Sequence, residues 1–337
     1  MKKNILIKLL ISINYIIFLL IKPLDITENW VKFKFNPILG NNKTGTLFDP
    51  FVIKDEGLYK MYVSWRPKGS IALSTSKNGI DWSDLKIILN KGNPTSWEKV
   101  SNRASIVHLN KTFYMWYTGQ NKGKSQIGLA TSIDGYHFIK YQYNPILTPE
   151  YRYEKNSIMN PHVLYDKEEN LFKMWYAAGE IIEPDVICYA TSKDGIIWIK
   201  YDKNPIFTPN QNKNYLDFYK VGGPEVHKIS NRKYLMYYIG YTDINTGRIF
   251  IAISQDGINN WKRSKHPIIQ PSKYQFDSDA CYKPTAIFDK QNNRWMIWYN
   301  GRKANKEYIG LVTHECYNLF HSIFFYLSKK VKIILNF

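Results

Sequence analysis

The sequence predicts an all-β protein. The expected form is a five-bladed β-propeller of four-stranded antiparallel blades, closed by its own N-terminal strand, with short helical extensions at both ends. Three observations carry this reading. Four stretches share one grammar: IALSTSKNGIDW, IGLATSIDGYHF, ICYATSKDGIIW and IFIAISQDGINNW, ending at Trp82, Phe138, Trp198 and Trp261. A short aromatic run precedes each copy, and a third unit precedes that run. The last copy lacks its outgoing strand, and a segment able to supply it stands at the start of the chain. Units recurring every ~40–60 residues are the mark of propeller blades.

Each element follows from its residues. The third unit reads DPFVIKDEG, RASIVHLNK, NPHVLYDKE, GPEVHKISN and KPTAIFDKQ, and it forms the innermost strand. Proline at the first residue of a strand costs no ladder hydrogen bond. The aromatic runs are KMYVSW, YMWYTG, KMWYAAG, LMYYIG and MIWYNG. They are nearly continuous apolar strands, suited to burial on both faces. The Asn-Gly and Asp-Gly pairs make tight turns, because those residues tolerate positive φ. The outgoing strand then carries an aromatic anchor and ends at Asn-Pro or His-Pro. ENWVKFKFNPIL matches that strand, with Trp30 as the anchor and Asn36-Pro37 as the exit. Zipped onto the last blade, it would close the ring and remove exposed sheet edges.

Composition narrows the possible functions. Hydrophobic residues make up 44% of the 337 and aromatics 16%, which supports a β-rich core and excludes a disordered chain. The formal net charge of +18 raises a polyanion partner. No Lys/Arg cluster sits on a nucleic-acid motif, so no nucleic-acid partner is expected. Cys188, Cys281 and Cys316 form no CxxC pair, which argues against a disulfide framework or zinc site. No metal and no cofactor are expected.

Three regions are expected. Residues 1–24 read as a signal-like segment, an anchor or an amphipathic helix. Export or membrane association through that segment is favoured over a cytoplasmic location. Residues 25–315 form the propeller, and 316–337 an amphipathic helix and tail. The expected assembly is a monomer.

The starts of the innermost strands converge on the axis. Asp49, Arg103, Asn160, Gly223 and Lys283 stand just before Pro50, Ala104, Pro161, Pro224 and Pro284. Phe51, Ser105, His162, Glu225 and Thr285 stand just after. Such a polar set at the mouth of a cavity is a candidate site. Arg103 and Lys283 suit sugar hydroxyls, a carboxylate or a phosphate. Asn160 can orient a hydroxyl, and His162 is either a ligand contact or a packed inner-strand residue. Trp65, Tyr117, Tyr241 and Trp97 offer faces for a sugar ring. Glu180, Glu183, Asp217, Asp277 and Asp279 are further carboxylates, each read first as a solvated loop residue.

With these motifs the chain resembles the five-bladed propeller glycosidases. That group includes arabinanases, β-xylosidases and invertase-like fructosidases, with the mannoside phosphorylases as relatives. The resemblance implies a carbohydrate-active enzyme that works with paired carboxylates on a glycan or oligosaccharide. It places the base at Asp49 in FDPFV and the acid at Glu225 in GGPEV. Asn160 stands where arabinanase-like enzymes carry a second aspartate, and Glu225 follows its proline where theirs precedes it. Two other readings remain open: a propeller that holds a glycan without cutting it, and a phosphorylase or transferase of surface polysaccharide.

Overall fold

The computed structural model describes residues 26–315, so the expected N-terminal segment and C-terminal tail lie outside the described residues. Twenty strands follow in order. The outgoing N-terminal strand is β1 (Val31–Lys32). The first unit is β2 (Leu47–Asp55), β3 (Leu58–Trp65), β4 (Ser70–Ser76) and β5 (Lys86–Leu89). The second is β6 (Val100–Leu109), β7 (Thr112–Asn121), β8 (Lys124–Ser132) and β9 (Ile139–Lys140). The third is β10 (Ser157–Asp166), β11 (Leu171–Gly179), β12 (Val186–Ser192) and β13 (Ile199–Lys200). The fourth is β14 (Lys220–Ser230), β15 (Lys233–Asp243), β16 (Thr246–Ser254) and β17 (Lys262–Arg263). The last is β18 (Ala280–Asp289), β19 (Arg294–Lys303) and β20 (Lys306–Glu315), to which β1 adds as the fourth strand.

All strand pairings within these units are antiparallel; a parallel pair, Ser157 to Ser125, joins the second and third, and an isolated parallel bridge links Lys155 to Gly179. The innermost strands β2, β6, β10, β14 and β18 neighbour one another in cyclic order. β1 pairs with β20 through Val31–Thr313 and Lys32–Val312, and Leu39 bridges to Ile309. The Asn36 side chain extends that seam, accepting from the Leu311 amide and donating to its carbonyl. Asn144 and Asn204 do the same for Leu129 and Tyr189, which is why the Asn-Pro exit recurs.

The repeated turn has a second purpose. In the third unit Ser192 Oγ accepts the Gly195 amide at 2.8 Å, and Asp194 Oδ1 accepts the amides of Ile196 and Ile197. Gly195 lies at φ 78°, and an added Cβ would stand 2.9 Å from Trp116. That closeness is used: Trp116 Nε1, in the preceding unit, donates to the Gly195 carbonyl at 2.9 Å. Trp175 holds Gly257 at 2.7 Å, Trp298 holds Gly79 at 2.8 Å, and the Tyr62 hydroxyl holds Gly135 at 3.1 Å. Four of the five units are therefore latched to the next through their aromatic runs. Among the described residues the last unit has no such turn, and there Trp30 meets Tyr237 of the fourth unit edge-on at 6.1 Å.

A buried acid recurs as well. Glu98, Glu154, Asp217 and Asp277 accept hydrogen bonds from Tyr117, Tyr176, Tyr238 and Tyr299. Each also pairs with a cation of the outgoing strand: Lys140, Lys200, Arg263 and Lys32. Asp217 and Asp277 are thus buried structural acids and not solvated loop residues. A buried carboxylate needs a cation and donors, and this arrangement supplies both.

Candidate functional site

The innermost strands share an irregularity that builds the site. Each ladder to the second strand slips at the same place: Phe48/Phe51, Asn102/Ser105, Met159/His162, Gly222/Glu225 and Tyr282/Thr285. The first bulged residue is left-handed in all five, at Asp49, Arg103, Asn160, Gly223 and Lys283, with φ of 49°, 56°, 51°, 54° and 28°. Bulges re-aim side chains and often border active sites. The strained amides are held from neighbouring units: Asp49 donates to Asn300 Oδ1, Arg103 to Ser64 Oγ and Asn160 to Thr118 Oγ1.

Asp49, Arg103 and Asn160 line a cavity of about 640 Å³. Arg103 Nε lies 2.8 Å from Asp49 Oδ2, and Asn160 Nδ2 donates to the same oxygen at 3.3 Å. Arg103 Nη1 is also anchored by Asn102 and Gln120. Tyr241 lines the cavity too.

The residues after the bulge behave differently. Ser105 accepts the Val163 amide, Thr285 that of Val52, and Glu225 that of Ala286 at 3.2 Å. They stitch adjacent inner strands together and lie outside the cavity lining. Glu225 is 3% exposed, with His162 at 3.2 Å, His227 at 3.3 Å and Lys283 at 3.9 Å. Burial alone would push its carboxyl up. Contacts with His162 and His227 and the charge of Lys283 outweigh burial and hold it well below the usual carboxylate range. A carboxyl held ionised is a poor proton donor, so this placement weighs against Glu225 as the acid. His162 Nε2 faces the Val226 carbonyl at 2.8 Å, and Lys283 donates to the Pro224 carbonyl at 3.2 Å. Tyr117 is a buried core residue bonded to Glu98, and Trp65 is half-buried, donating to the Thr44 carbonyl. Neither lines the cavity, and nor does Trp97.

Glu225 sets a stability test. Its lowered pKa means its contribution is present above about pH 4.5 and fades as pH falls below that value. Glu225→Gln is expected to cost about 3–5 kcal/mol at pH 7, as for one partner lost from a buried pair. Denaturant titrations at pH 7 and pH 3.5 should show the gap from the parent shrinking at the lower pH.

The cavity holds two further carboxyls. Glu183 sits in the β11–β12 connection, residues 180–185, where three other units turn in two residues. Pro184 packs so closely that a Cβ on Gly222 would stand 2.2 Å from its ring. Lys155 pairs with Glu180 and Asp185, and Lys220 with Asp185 and the Glu183 carbonyl, which fixes the connection at its base. Burial raises the Glu183 carboxyl most. The Tyr241 hydroxyl, donating at 2.5 Å, and Arg103 oppose that rise. Asp49 adds to it, Arg302 opposes it, and the net value is about 7. Glu307, paired with Arg66 at 2.9 Å, is also raised, chiefly by burial. The unusual length of EIIEPD was the one sequence signal for Glu183.

Among the described residues no cluster of three His, Cys, Asp or Glu is placed to hold a metal, and no helix is long and apolar enough to cross a membrane.

Comparisons with known proteins agree with this architecture. A Mycobacterium tuberculosis (strain H37Rv) protein named Uncharacterized protein Rv1502 is 30% identical over 227 residues, covering 63% of this chain and 70% of that protein. The 1,2-beta-oligomannan phosphorylase of Thermoanaerobacter sp. (strain X514) is 30% identical over 238 residues, covering 67% and 72%. A thermostable family-43 glycoside hydrolase superposes with a TM-score of 0.64 at 19% identity, covering 82% of this chain and 91% of the other. A structure described under the GH130 family of mannoside phosphorylases superposes at 0.66 with 15% identity, covering 88% and 96%. At such identities the structural likeness is one of fold. The model of glycosyl hydrolases family 43 matches residues 36–319, nearly the whole described ring, and the chain belongs to that family.

Proposed function

We propose that this protein cleaves a glycosidic bond of an oligosaccharide in the cavity, with Glu183 as the proton donor and Asp49 as the ionised partner. The observation that carries this is the contrast between two carboxyls in one cavity. Asp49 is bound by the Arg103 guanidinium, whereas Glu183 is raised to about 7. Glycoside cleavage needs one protonated and one ionised carboxyl flanking the bond. Glu183 would protonate the leaving oxygen, and Asp49 would take a proton from the incoming nucleophile. Asn160 and Arg103 hold Asp49 in place, and Tyr241 orients Glu183.

A second reading makes phosphate the nucleophile. It is supported by the Thermoanaerobacter relative named as a phosphorylase and by five cationic side chains on the cavity wall. Incubation with a panel of oligosaccharides, with and without inorganic phosphate, tests both readings. Free reducing sugar supports hydrolysis, and a sugar phosphate formed only with phosphate supports phosphorolysis. Glycan binding with no product of either kind would leave only a binding propeller.

A further inference from the structure

The cavity wall carries Arg66, Lys99, Arg103, Lys122 and Arg302 against Asp49, Glu183 and Glu307. Two of the arginines are answered by carboxylates, Arg103 by Asp49 and Arg66 by Glu307. Arg302 is not. Glu307 is its cross-strand partner in the β19–β20 ladder, yet Glu307 turns to Arg66. Among the described residues Arg302 forms no ion pair. Its Nη2 is held by the Asn245 carbonyl, its guanidinium lies over Tyr282 at 5.3 Å, and its Nε is buried with no hydrogen-bond partner. The Nε is sealed from solvent, so the donors left for a ligand are Nη1 and the second hydrogen of Nη2, along one edge of the guanidinium.

We infer that Arg302 is a subsite for a carboxylate borne by the sugar, so that the glycan bound in this cavity is acidic, of the uronic-acid type. This rests on the reading of the cavity as a glycan site. One planar fork on one aromatic ring matches a single carboxylate, which it can bind through two parallel hydrogen bonds. Exposed Lys99 and Lys122 stand on the same wall and add positive potential that draws an anion in. Arg302 sits with Glu183 and Tyr241, so the subsite adjoins the proposed donor.

Calorimetric titration with matched pairs tests this: glucuronate with glucose, galacturonate with galactose, and mannuronate with mannose. The full chain carrying Glu183→Gln serves as host, so that binding is read without turnover while Arg103 keeps its Asp49 partner. At least one acid is expected to bind 10-fold or more tighter than its neutral parent, consistent with a hydrogen bond to a charged group. Arg302→Gln on that host should erase the preference while leaving the neutral parent's affinity within about 2-fold, and Arg302→Lys should restore part of it. The preference should also weaken with salt. No acid binding better than its parent overturns the subsite, as does equal loss of both in Arg302→Gln. Inorganic phosphate binding that displaces the acid and is itself lost in Arg302→Gln assigns the arginine to phosphate and also overturns it. Because the host is inactive, these results stand apart from the proposed cleavage: an acid preference without turnover in the parent enzyme removes the enzymatic reading and keeps the subsite.

Discussion

Glu183→Gln should lower kcat/KM on a glycan with a poor leaving group by 10²–10⁴-fold, the range expected when a general acid is removed. The loss should be much smaller on aryl glycosides whose leaving group needs no proton. The parent enzyme's kcat/KM should fall as pH rises through about 7, because the free enzyme must hold Glu183 protonated to donate. In Glu183→Gln that basic limb should vanish. Tyr241→Phe gives a second sign. The tyrosine hydroxyl donates to the Glu183 carboxylate and so favours the ionised form. Its removal should move the limb upward by roughly one unit, as expected for a hydrogen bond to a charged group. A limb that stays at the same pH in both variants would remove Glu183 from the mechanism. Asp49→Asn should be as damaging as Glu183→Gln, but across the whole pH range. Glu225→Gln, by contrast, should move stability first and leave the basic limb where it is.

That contrast shows how the site was legible and where the reading stopped. The strand grammar was open to inspection, because turn residues, aromatic runs and Asn-Pro exits each have a local physical cause. The convergence of Asp49, Arg103 and Asn160 followed from the repeat alone, since equivalent positions in a ring must meet at its axis. The repeat did not show that each innermost strand bulges at that position. A bulge reverses which neighbour faces the axis. Asp49 and Asn160 therefore point into the cavity, whereas His162 and Glu225 turn to stitch adjacent strands. Lys283 shares the left-handed backbone yet reaches back to Pro224 and Glu225. Tyr117 was offered as a sugar platform although its run, YMWYTG, reads as a strand buried on both faces, and burial there is what the fold gives it. Its partner Glu98 is 19 residues earlier in the chain, and only folding brings the two together. Glu183, the proton donor proposed here, was read first as a solvated residue because loops ordinarily solvate their carboxylates. Its loop is seated by Pro184 against Gly222, a contact between separate units.

The ring's closure should be its most sensitive structural joint. Asp277 is fully buried and is bonded by the Tyr299 hydroxyl at 2.8 Å and by Lys32 of β1. Lys32 also donates to the Gln270 carbonyl at 2.6 Å and to Ser272 Oγ at 2.7 Å. β1 itself is only two residues long, so these side-chain bonds carry much of the seam. Asp277→Ala removes a buried carboxylate, strands the Tyr299 hydroxyl and leaves Lys32 only the Gln270 carbonyl and Ser272 Oγ. The expected cost is about 3–5 kcal/mol, as for breaking a buried pair. That is a large part of the roughly 5–15 kcal/mol by which domains are stable. Lys32→Met should cost a comparable amount, because it leaves the Asp277 carboxylate buried without its cation. The double variant should cost clearly less than the two singles added, since each single already breaks the pair. Limited proteolysis gives the local readout: in either single variant, cleavage within residues 26–39 should precede cleavage elsewhere. Once that segment peels away, β20 becomes an exposed edge, and the variant should associate as protein concentration rises. The Glu154–Lys200 pair has the same form but closes no ends, so Glu154→Ala should lower stability without early cutting at 26–39. Identical cutting patterns in the Asp277 and Glu154 variants would mean that the N-terminal strand is held by its backbone pairing alone.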